Sequence, residues 1–167
     1  MSQGAADMFL RGRGGVGGRL PEQLPRRTVR ENANSLAAIP LFQGFSKRHL
    51  QRLASQADEL AFEPRDDIVE EGMLGETLFV VLSGSAKVTR SGRKVGAVRP
   101  GDVYGELSTL DGGPRSATVR AETPMRVLRL FRHTLVDLLR DEPRLILKLL
   151  DGIVRRIREI ERPKLSP

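Results

Sequence analysis

The 167-residue chain contains no cysteine, which excludes disulfides and thiolate metal sites. No apolar run comes near the length, about 20 residues, that a membrane-spanning helix needs. The N-terminus also lacks the basic-then-apolar order of a secretory signal. These absences lead to the expectation of a soluble, cytoplasmic protein without a membrane partner. Histidine is confined to His49 and His133, which stand alone with no ligand spacing around them. No nucleophile has a base beside it. The expectation is therefore no catalytic residue, no metal, no cofactor and no enzyme.

What is present in surplus is positive charge, Lys+Arg 28 against Asp+Glu 21, and its placement decides what it means. Residues 1–32 carry a net +3, residues 33–124 a net −1 and residues 125–167 a net +5. The middle of the chain is neutral and the ends are basic. Residues 1–33 place Gly4, Gly12, Gly14, Gly15, Gly17 and Gly18 among Arg11, Arg13 and Arg19 with little to bury, the composition of a disordered, solvated tail. An RGG-like nucleic-acid contact is the alternative there. A phosphate loop is not, because the Gly-Lys-Ser/Thr ending and the preceding strand are missing.

From residue 34 the texture changes. Leu36, Ile39, Leu41, Phe42 and Phe45, then Leu50, Leu53, Ala54 and Ala57 behind a capping Ser46, predict a helical module over residues 34–58. Over residues 59–131 the period shortens. Runs such as Thr77 to Leu82, Ala86 to Thr89 and Val127 to Leu130 are broken at Glu71-Gly72, Ser83-Gly84, Ser91-Gly92, Pro100-Gly101 and Gly112-Gly113-Pro114. Short strands at this spacing predict a mainly β fold with flanking helices, an antiparallel jelly-roll barrel. Residues 132–161 return to helical period, with Pro143 restarting the second helix, and 162–167 form a short tail. Ile146, Leu150, Ile153, Ile157 and Ile160 are spaced 4, 3, 4, 3. That stripe either packs on the chain's own barrel or pairs with a second copy in a homodimer.

The most informative stretch is Tyr104-Gly105-Glu106-Leu107-Ser108-Thr109-Leu110-Asp111-Gly112-Gly113-Pro114-Arg115-Ser116-Ala117-Thr118-Val119. A short helical turn offers free amides to an anion, and an arginine brought back beside it completes a phosphate site without a metal. A carboxylate next to a phosphate is useful only if it faces hydroxyl donors such as those of a ribose. Phosphate and ribose together mean a nucleotide.

These residues resemble the phosphate-binding cassette, residues 104–119, of the cyclic nucleotide-binding domain shared by bacterial catabolite activators, regulatory subunits of cAMP-dependent protein kinase and cyclic-nucleotide-gated channels. The resemblance covers residues 34–161 and includes Glu71-Gly72 before Glu76 to Gly84, and Pro100-Gly101-Asp102. It implies cAMP, or alternatively cGMP, as ligand. It assigns Glu106 to the ribose 2′-hydroxyl, Arg115 to the exocyclic phosphate oxygens, and Gly105 to close approach of the sugar. Amides near Leu107 and Ala117 are further donors, and Ser116 meets the phosphate or base. Val88, Val95 and Val98 fall where the family lines the base pocket. The final helix lacks the Thr-Ser pair of catabolite activators, and the alternatives there for contacting the base are Arg156 stacking on it, Ile160 covering it or Glu161 accepting from an exocyclic amine.

The resemblance also implies a lid: binding lets the C-terminal helix swing over the pocket and regulate an effector protein. No helix-turn-helix follows the long helix, so direct DNA binding is not expected. The alternative from another class is a non-catalytic interaction scaffold with a vestigial nucleotide site.

Overall fold

The computed structural model describes residues 25–161, apart from the side chains of Glu106, Leu107, Ser108 and Ile160. Its first helix starts on a reciprocal cap. The Thr28 hydroxyl accepts from Glu31 N at 3.2 Å, and the Glu31 carboxylate accepts from Thr28 N at 2.7 Å. That cap places α1 at Val29–Ala37, so the helical module begins ahead of the expected boundary at residue 34. A 3₁₀ turn at Pro40–Phe42 leads to α2 (Lys47–Ser55), where Ser46 caps and the His49 ring accepts from Ser46 N at 3.1 Å. His49 thereby has a structural task.

Eight strands follow: β1 (Asp58–Phe62), β2 (Asp67–Val69), β3 (Thr77–Ser83), β4 (Ala86–Arg90), β5 (Arg93–Val98), β6 (Val103–Tyr104), β7 (Thr118–Ala121) and β8 (Met125–Phe131). α3 (Glu106–Asp111) interrupts them between β6 and β7, and α4 (Arg132–Asp141) and α5 (Arg144–Glu161) close the described chain. The strands form two four-stranded antiparallel sheets, ordered β1-β8-β3-β6 and β2-β7-β4-β5.

The first sheet is covered on both faces. Leu78, Val80, Leu128 and Leu130 meet Leu36, Phe42, Leu53 and Leu138 of the helices. Phe79, Val81, Met125 and Val127 meet Ala86, Val119 and Ala121 of the second sheet. Side chains alternate across a strand, so a strand buried on both faces must be apolar at successive positions, and this is why β3 reads Leu-Phe-Val-Val-Leu without a break.

The sheets stay open, which corrects the expected closed barrel. β1 and β6 edge one sheet and β2 and β5 the other, with no pairing across the seam. β2 has three residues and β6 two, too few hydrogen-bonding positions to carry a continuous ladder around a ring. The result is a β sandwich with helices against one face.

α5 bears on the two readings of its apolar stripe. Its packed face is Leu145, Leu149 and Gly152, with Ile153 partly covered. A Cβ at Gly152 would lie 3.0 Å from both Cα and O of Leu41, so glycine is what lets α5 lie against the 3₁₀ turn. Among the described residues of the predicted stripe, Ile153 alone packs against the core. Ile146, Leu150 and Ile157 are about half exposed, and the Ile160 side chain lies outside the described part. The inward row includes a glycine, which a hydrophobic periodicity count does not register.

Candidate functional site

β6 carries the chain to Tyr104, and Gly105 at φ +83° turns it into α3. The Gly105 carbonyl accepts from Thr109 N at 3.1 Å and from Thr109 Oγ1 at 2.6 Å, which secures the first turn of that short helix. Beyond α3, Asp111 Oδ1 accepts from Gly113 N at 2.7 Å and Gly112 takes φ +72°. Of the two glycines in the predicted turn, only Gly112 uses positive φ.

The chain then returns beside the segment that precedes β3. Arg115 N donates to Met73 O and Gly72 N donates to Arg115 O, each at 2.8 Å. This double bridge fixes the Arg115 backbone, and the side chain points inward, 3% exposed. Nη1 donates to Gly105 O at 3.2 Å, Nη2 donates to Thr77 Oγ1 at 3.0 Å, and Cζ lies 5.7 Å from the centre of the Phe79 ring. Two glycines make room for it. A Cβ at Gly75 would overlap Nε and Cζ of Arg115, and a Cβ at Gly105 would overlap Nη1. The guanidinium is thus threaded between Gly75 and Gly105, with Gly105 O and Thr77 Oγ1 among its acceptors.

Phe79 also stacks on Tyr104, with ring centroids 5.0 Å apart and planes 8° from parallel. Burial pushes the Tyr104 phenol well above its ordinary range and the Arg115 charge only partly opposes this, so the hydroxyl stays protonated.

The remaining predicted residues fall into groups. Ser116 is exposed, and its carbonyl accepts from Arg90 Nε of β4 at 3.0 Å; Ala117 beside it is half-buried. Val98 is buried between the sheets and Val88 packs against the same core, whereas Val95 is 55% exposed at the register shift of the β4–β5 hairpin and does not join them. Arg156 reaches from α5 to donate to Val103 O at 3.1 Å, two residues before Gly105. Arg155, one position earlier, donates to Gln43 Oε1 at 2.5 Å beside the 3₁₀ turn. The backbone of Glu106 and Leu107 opens α3, and their side chains lie outside the described part.

Sequence reasoning missed Gly75, Thr77 and Tyr104. Gly75 lies 40 positions before Arg115, and its importance is the space it leaves for that side chain, which no local pattern encodes. Among the described residues no three His, Cys, Asp or Glu side chains are grouped to hold a metal, and no helix is long and apolar enough to cross a membrane.

The sequence model of the family described as the cyclic nucleotide-binding domain matches residues 59–142, half of the chain. A CRP-like cAMP-activated global transcriptional regulator of Mycobacterium tuberculosis is 30% identical over 128 residues, covering 74% of this chain and 57% of the regulator. A cGMP-dependent protein kinase of Toxoplasma gondii is 36% identical over 101 residues, which is 60% of this chain and 10% of the kinase. The chain therefore spans little more than half of one relative and a tenth of the other. Among solved structures, the N-terminal domain of a transcriptional regulator from Streptomyces coelicolor A3(2) superposes with a TM-score of 0.66 at 30% identity, over 80% of this chain and 99% of that domain.

Proposed function

Since the chain belongs to the cyclic nucleotide-binding domain family, we propose that it is a non-catalytic receptor for a cyclic nucleotide, cAMP first and cGMP as the alternative, whose C-terminal helix changes position on binding and so regulates a partner. The observation that carries this reading is the Arg115 guanidinium, buried and held by Gly105 O and Thr77 Oγ1 between two glycines. A phosphate entering there meets a guanidinium whose fork is already oriented by these contacts. Glu106, at the start of α3, takes the ribose hydroxyl, Gly105 admits the sugar, and Leu107, Ser116 and Ala117 complete the cassette. Val88 and Val98 back the base.

Binding is read out through α5. Arg156 ties this helix to Val103 O, immediately ahead of the cassette, and Gly152 seats it against Leu41. A ligand shifts such an element only by its affinity difference between two arrangements. Reordering around Gly105 reaches Arg156 through two residues of β6, so the cassette and α5 are mechanically adjacent. Titration calorimetry with cAMP and cGMP tests the reading. Heat with either nucleotide, and stabilisation of about 2.7 kcal/mol at 100 times Kd, are the expected results. No heat at high micromolar protein overturns it.

The exposed row on α5 gives the partner surface. Ile146, Leu147, Leu150, Val154 and Ile157 are 40–68% exposed along one helix, an apolar stripe of the kind that pairs with a second copy. The substitution pair Leu150→Glu and Ile157→Glu is expected to convert a dimer into a folded monomer in light scattering, because both side chains leave the core untouched. A wild-type chain that is monomeric at high micromolar concentration, with and without nucleotide, excludes the homodimer.

A further inference from the structure

Tyr104 has an unusual position for a polar residue. It is 5% exposed, in the core between the two sheets, and its hydroxyl has no hydrogen-bond partner among the described residues. Buried polar atoms are nearly always partnered, because water offers the alternative in the unfolded chain. A phenylalanine at this position would fill the same space against Phe79 without that loss, so packing alone does not account for the hydroxyl.

Its surroundings point to one class of partner. Tyr104 stacks on the same Phe79 ring that the Arg115 guanidinium approaches, and it directly precedes Gly105, whose carbonyl accepts from Arg115. The charge of Arg115 accordingly bears on the phenol.

Resting on the receptor reading above, we propose that the Tyr104 hydroxyl is a hydrogen-bond donor for the phosphate of the bound nucleotide, a positioning residue that acts beside Arg115. A phenol kept protonated by burial can only donate to such an acceptor, which suits a phosphate oxygen that is already charged. The role is complementary to that of Arg115: the arginine supplies the charge, and the tyrosine supplies a neutral donor whose ring is held in place by stacking.

The test is the Tyr104→Phe protein. Expected is an affinity for the bound nucleotide about tenfold weaker by calorimetry, as for loss of one donor to a charged acceptor. The melting temperature without nucleotide is expected to stay level or rise, since an unpartnered hydroxyl has been removed. A second readout is available in the native chain, which has one tyrosine and no tryptophan. Tyrosine emission is expected to change as nucleotide saturates the protein. Unchanged affinity in Tyr104→Phe, or emission that ignores saturation, overturns the assignment while leaving the receptor reading in place. Absence of any nucleotide heat in the wild-type protein overturns the receptor reading itself, and this inference with it.

Discussion

Replacing Arg115 with alanine is expected to abolish measurable cyclic nucleotide binding while the protein still folds. The loss should be roughly 3 kcal/mol or more, on the order of a hundredfold in Kd, because a fully desolvated charged donor is removed from in front of an anion. The fold survives for a specific reason. The Gly105 carbonyl that accepts from Arg115 Nη1 also accepts from Thr109 N and Thr109 Oγ1, so the turn into α3 keeps its closing bonds. The backbone bridges of Arg115 to Met73 and Gly72 do not involve its side chain and persist in any substitution.

Arg115→Lys should be intermediate. A point charge retains long-range attraction but cannot span from Gly105 O to Thr77 Oγ1 as the planar fork does. Calorimetry and ligand-dependent melting check both variants. Affinity in Arg115→Ala equal to wild type would sink the assignment of this residue to the phosphate.

The parts of this architecture that could be read from the chain are those with a local physical signature. β3 announced itself as five apolar residues in a row, because both of its faces are covered. Ser46 was legible as a cap, because a hydroxyl before a helix has one obvious use. The cap of α1 was missed although Thr28 and Glu31 have the spacing of a reciprocal pair, since the glycine-rich composition before them masked where the tail stops.

Closure of the barrel was not legible at all. It depends on whether edge strands meet, and two-residue β6 and three-residue β2 are fixed by tertiary packing rather than by propensity. The inward face of α5 was not legible, because its row, Leu145, Leu149, Gly152, ends in a glycine that matters for the room it leaves. The hydrophobic count followed the apolar stripe, of which Ile146, Leu150 and Ile157 are about half exposed.

The site divides in the same way. Arg115 and Gly105 lie within one contiguous motif and could be named before any coordinates existed. Gly75 and Thr77 belong to the site through the path of one side chain across the sandwich, and only the path reveals them. Val95 shows the converse: the resemblance groups it with Val88 and Val98, but it lies three residues from Val98, so strand alternation turns it to the other face, where it stands exposed at the β4–β5 register shift.

The two glycines that clamp Arg115 are expected to fail in different ways when given a methyl group, and the contrast tests the clamp. At Gly75 the three atoms nearest the added Cβ all belong to the Arg115 side chain, its Nε and Cζ, with Nη2 at 2.6 Å. A guanidinium at the end of a flexible stem can leave. Gly75→Ala should therefore keep its melting temperature within a few degrees of wild type and bind nucleotide roughly tenfold or more weakly, by displacing the donor from its acceptors.

At Gly105 the methyl overlaps Arg115 Nη1 and also approaches the Thr77 carbonyl to 2.9 Å, on a backbone at φ +83° that side chains rarely adopt. The backbone cannot step aside as a side chain does. Gly105→Ala should thus lose about 1–3 kcal/mol of stability from the strained backbone. At about 2–4 °C per kcal/mol for a chain of this size, that loss is readily seen in a thermal melt. Nucleotide binding should be lost as well. Equal melting temperatures for the two alanine variants would mean that the backbone around Gly105 relaxes freely. Wild-type affinity in Gly75→Ala would mean that Arg115 does not need its place between the glycines to meet the phosphate.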